Sequence, residues 1–68
     1  MPILTTLERD ILTCIEIVGA TDADDISDIL GENPREVQEA LHSLDDRGYV
    51  IMRLGWYRLS EAHKGGRL

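Results

Sequence analysis

The chain predicts a small, mainly α domain with one β-hairpin (α+β): a three-helix bundle followed by a two-stranded flap. Three observations carry that expectation. Three stretches place apolar residues at helical spacing, each opened by a capping residue and closed by a glycine. The segment after the third stretch can be folded about Leu54 and Gly55 so that its arms present matching faces. The apolar content of 43% comes from aliphatic side chains, with one Trp, two Tyr and no Phe, which suits a small helical core.

After a short apolar start from Met1 to Leu4, Thr5 and Glu8 stand three apart as a capping box for the first helix. Leu7, Ile11, Cys14 or Ile15, and Val18 recur along one side, with Glu8, Arg9, Asp10, Thr13 and Glu16 largely on the other. Gly19 closes it. Ala20 and Thr21 form a short extended link that could add a minimal strand to the hairpin. Asp22 then opens a second helix, with Asp25 at the reciprocal position and Ile26, Ile29 and Leu30 as the buried face. Gly31 and Glu32 make the tight turn into the third.

The third helix has the clearest start. Asn33 is placed to accept from the N–H of Glu36 while the Glu36 carboxylate reaches back, and Pro34 sits where a missing N–H costs nothing. Val37, Leu41 and Leu44, with Ala40 beside them, form one apolar stripe. Arg35, Gln38, Glu39, His42 and Ser43 lie off it, and Gly48 supplies the left-handed stop. In the hairpin, pairing Val50 with Leu59 and Met52 with Tyr57 puts four bulky residues on one face and Ile51, Arg53, Trp56 and Arg58 on the other. Leu-Gly is a weaker turn signal than Asn-Gly, which leaves room for a one-residue shift and a small bulge. Ser60 to Leu68, with only Ala62 and Leu68 as apolar anchors, is expected to make at most one turn, with 61–68 as a frayed tail.

At 68 residues this is one domain, near the size where a single core just suffices. No apolar run approaches the roughly 20 residues of a membrane span, and the N-terminus does not read as a secretory signal, so a cytoplasmic protein is expected. The lone cysteine cannot cross-link internally, and Cys14 reads as a buried, inert thiol. The net charge of −6 is unevenly spread: residues 1–46 hold 12 acids against Arg9 and Arg35, whereas residues 47–68 hold Arg47, Arg53, Arg58, Lys64 and Arg67 against Glu61. Such a field orients a molecule on a polyanion with its hairpin end leading.

The motifs T-D-A-D-D-I-S-D-I-L-G (Thr21 to Gly31), N-P-R-E-V (Asn33 to Val37), L-x-x-L-D-D-R-G-Y-V (Leu41 to Val50) and Y-R-L-S (Tyr57 to Ser60) together resemble a winged helix-turn-helix domain. The likeness is to small prokaryotic transcriptional regulators of the MarR, PadR and ArsR type, and it covers nearly the whole chain. It implies that the third helix enters the major groove of double-stranded DNA and that the hairpin, or wing, touches a neighbouring minor groove or backbone. Position by position, Pro34, Arg35, Glu36, Gln38, Glu39 and His42 would face the major groove, and Arg53, Leu54, Gly55 and Trp56 would form the wing tip, with Arg58 beside them. Many relatives carry Ser-Arg where this chain has Gln38 and Glu39, and an acid there opposes phosphate. Relatives also dimerise through added terminal helices, so a weak homodimer here would need the first helix, the tail or a larger assembly.

The bland readings of the same residues are a solvated helix face, a Trp56 that covers a core edge, and Asp22, Asp24, Asp25 and Asp28 as a capped helix start. A calcium loop fails, because Ile26 and Ser27 occupy its fifth and sixth positions. His42 and His63 have no neighbouring ligand cluster. No nucleophile with a paired base and no phosphate-cradling loop is present, so neither an enzyme nor a cofactor is expected. The alternative to DNA binding is a protein-interaction module whose acidic half docks a basic partner.

Overall fold

The structure, a computed structural model, describes residues 4–60; the expected tail at 61–68, with His63, Lys64 and Arg67, lies outside them. The elements run α1 (Thr6–Val18), β1 (Ala20–Thr21), α2 (Ala23–Leu30), α3 (Pro34–Asp46), β2 (Val50–Arg53) and β3 (Trp56–Leu59). Three helices therefore pack with a small antiparallel sheet ordered β1-β3-β2, an α+β arrangement compatible with a winged-helix-like fold. Among the described residues no helix is long and apolar enough to cross a membrane.

The capping box of α1 forms as its spacing predicts: Glu8 N–H donates to Thr5 Oγ1 (3.1 Å) and Thr5 N–H to Glu8 Oε1 (2.9 Å). Asp25 N–H donates to Asp22 at the start of α2. At α3 the expectation needs correction. Asn33 accepts from Arg35 N–H at 2.8 Å rather than from Glu36, a cap one residue shorter than a box allows. The helix ends in a Schellman motif, with Tyr49 N–H on Leu44 O and Gly48 N–H on Asp45 O, and Gly48 at φ +83° takes the left-handed step.

Ile11, Ile15, Ile26, Val37, Leu41, Leu44 and Val50 are fully buried, so all three helices and β2 meet in one core. The α3 stripe is as predicted. Two other helical faces are not. In α2 the buried residues are Ala23, Ile26 and Ser27, an arc that leaves Ile29 about 110° away at 100° per residue, and Ile29 is exposed. In α1 the buried arc includes Glu8, Ile11, Leu12 and Ile15, while Val18, the last residue before Gly19 turns the chain, is half exposed. Glu8 sits near the middle of that arc. Its polarity suggested solvent, but its angle puts it inside.

Arg47 arrives from the end of α3 to meet it. Arg47 Nη2 donates to Glu8 Oε2 and to Ser43 Oγ, and its guanidinium lies 5.8 Å from the Tyr49 ring centre. Burial alone would raise the Glu8 carboxyl, but the Thr5 N–H and the Arg47 guanidinium outweigh it and hold the group below its ordinary value.

Candidate nucleic-acid interface

The hairpin register is the one the matching faces predict, with Val50 opposite Leu59, Ile51 opposite Arg58, Met52 opposite Tyr57 and Arg53 opposite Trp56, and no shift. Leu54 (φ +54°) and Gly55 (φ +83°) both take positive φ, as a two-residue type I′ turn requires. Thr21 pairs with Tyr57 and Ala20 with Arg58, so β3 becomes the central strand. Val50 and Tyr57 are buried against the helices, Leu59 is partly buried, and Met52, nearer the tip, stays half exposed.

Arg35, Gln38, Glu39 and His42 are all exposed on α3, on the side away from Val37, Leu41 and Leu44. Arg35, Gln38 and His42 stand at spacings of three and four, one above another on a common face. A groove of about 240 Å³ separates that helix from the hairpin, lined by Asp22, Ala23, Asp24, Gln38, Met52, Gly55 and Tyr57. Gln38 and the hairpin tip therefore open onto the same space.

Arg53, Trp56 and Arg58 project from the opposite face of the hairpin, because strand residues alternate and Met52 and Tyr57 take the helix side. The structure thus brings the α3 residues together and the hairpin cations together, but sets the two groups on different faces of the ribbon. It also removes a cation from the count, since the Arg47 charge is met by Glu8. Asp22 and Asp24, which read from the sequence as a capped helix start or as part of an acidic face for a basic protein partner, were not expected on the rim of a groove with Gln38. Nothing local signals it, since the α2 start and Gln38 meet only through packing.

No protein family, curated protein or solved structure matches the chain.

Proposed function

We propose that this chain is a winged helix that binds double-stranded DNA, as a small transcriptional regulator, with α3 as the reading helix and the β2–β3 hairpin as the wing. The observation that supports the reading is that Gln38 of α3 and Gly55 of the hairpin tip line one groove, while Arg53 and Arg58, on the ribbon's other face, would reach only backbone that flanks it. Arg35 and Gln38 would contact backbone and base edges, His42 a phosphate, and Arg53 and Arg58 the flanking backbone, with Trp56 beside them. Glu39 on the same helix can accept from a cytosine amino group and opposes phosphate elsewhere.

Three arginines on phosphates imply a slope of log affinity against log salt of about −2.7, so raising salt from about 50 to about 200 mM should weaken binding roughly 40-fold. Titration of a labelled mixed-sequence duplex, followed by anisotropy, measures this. Arg35→Ala, Arg53→Ala and Arg58→Ala should each reduce the slope by about one unit. Unchanged affinity and slope in Arg53→Ala and Arg58→Ala would remove the wing from the interface.

A second reading is favoured by the carboxylates of Asp22 and Asp24 on the groove rim. They suit a basic protein segment better than a phosphate, and a module of that kind shows no saturable duplex binding even at low salt.

A further inference from the structure

The groove between α3 and the hairpin holds two carboxylates that the chain does not neutralise. Asp24 is exposed and its side chain makes no hydrogen bond among the described residues, while Asp22 uses one oxygen on the Asp25 N–H at the start of α2. Neither meets a cation of the described chain, whose ion pair joins Arg47 to Glu8, and Arg53 and Arg58 stand on the ribbon's other face. The positive end of α2 offsets about half a charge of the two, so the groove stays anionic.

An acidic rim is common on a helix start, but Tyr57 sets this one apart. Only 8% of Tyr57 is exposed, it lines the groove, and its hydroxyl, which solvent still reaches, has no hydrogen-bond partner among the described residues. A phenol so deeply set usually pairs within its own fold. Here the ring joins the core and the oxygen is left to whatever enters the groove. Gln38 brings an exposed amide to the same space, and Met52 a half-exposed apolar side chain.

Size and chemistry together select the occupant. Clefts for small molecules run to about 300–1,000 Å³. At about 240 Å³ this groove has room for one side chain rather than a whole metabolite. Arginine carries its N–H donors in a planar fork on an apolar stem and has no acceptor. The groove offers the reverse, with carboxylate, phenol and amide oxygens around an apolar wall. Lysine is a compact, strongly hydrated point charge and fits such a spread of acceptors less well.

We propose that this groove is a socket for an arginine side chain presented by a partner protein, with its guanidinium donating to Asp22, Asp24, Tyr57 Oη and Gln38 Oε1 and its stem along Met52. This rests on the protein-interaction reading and narrows it from a basic segment to one residue type.

The test titrates the isotope-labelled full chain with three blocked pentapeptides, four alanines around a central arginine, lysine or citrulline, and with a decamer alternating arginine and serine. The arginine pentapeptide should shift the amides of Asp22 to Asp24, Gln38 and Met52 to Tyr57 saturably, and the neutral citrulline peptide should not. Tyr57→Phe is the decisive variant. The hydroxyl it removes bonds nothing in the described fold, so melting should be unchanged, while the arginine pentapeptide should bind roughly five- to ten-fold more weakly. Asp24→Asn should weaken it about ten-fold, and Asp28→Asn, on the same helix but outside the groove, by less than about two-fold. Equal binding of the lysine peptide at the same amides, shifts confined to other faces, or unchanged affinity in Tyr57→Phe overturns the arginine socket and leaves the protein-interaction reading standing. No saturable shift with any of the peptides, the decamer included, overturns both.

Discussion

Replacing Arg47 with Met strips the guanidinium from both Glu8 and the Tyr49 ring while keeping much of the aliphatic stem. The Glu8 side chain is only 9% exposed and that of Arg47 29%, so the acid is the desolvated partner. Breaking a fully buried pair costs about 3–5 kcal/mol, and the partial exposure of Arg47 brings the expected loss down to about 2 kcal/mol. For a domain of this size that is a fall in Tm of roughly 8–16 °C. Glu8→Gln removes the charge but retains an oxygen for the Thr5 N–H, so it should cost about 1 kcal/mol. The double variant should lose less than the two singles together, by about 1 kcal/mol, because neither charge is then left alone. Urea unfolding of all four proteins gives the cycle. The sign with pH is fixed as well. The Glu8 carboxyl is held below its ordinary value of 4.5, so its contribution is present above that pH and lost as the pH falls through the lower, folded value. The advantage of the unaltered protein over Arg47→Met should therefore be full at neutral pH and shrink in acid. Additive losses, or a gap that stays constant down to about pH 3, would refute the account of Glu8 as a buried charge dependent on Arg47.

Two further changes probe the core. Thr21 is 2% exposed and its hydroxyl has no hydrogen-bond partner among the described residues, so Thr21→Val should stabilise by about 1 kcal/mol in urea unfolding; a loss of stability would mean the hydroxyl is satisfied. Burial, and secondarily the Asp25 carboxylate, push the Cys14 thiol up, so a thiol reagent at neutral pH should label the native protein only as fast as it opens. Rapid stoichiometric labelling would show an accessible thiolate.

The elements legible in the sequence are those whose determinants lie within a few residues of one another. Thr5 with Glu8, Asp22 with Asp25, Pro34 after Asn33, and the glycines at 19, 31 and 48 bound the three helices, because caps and left-handed stops act over one turn. Matching two arms four residues long was enough to set the hairpin register, and even the short β1 could be anticipated from Ala20 and Thr21. Polarity misled where angle ruled: Ile29 faces water and Glu8 faces inward, since a helix buries whichever arc its neighbours cover.

By itself, then, the sequence determined the order of elements, their ends, the α3 stripe and the two-faced hairpin, all consequences of short-range hydrogen bonding and side-chain period. Only the tertiary structure decided that Arg47 is taken up by Glu8, 39 residues away, that Asp22 and Asp24 stand beside Gln38, and that Leu54 is left in water. Those outcomes depend on which surfaces the packed core brings together, and the distance along the chain carries no record of that.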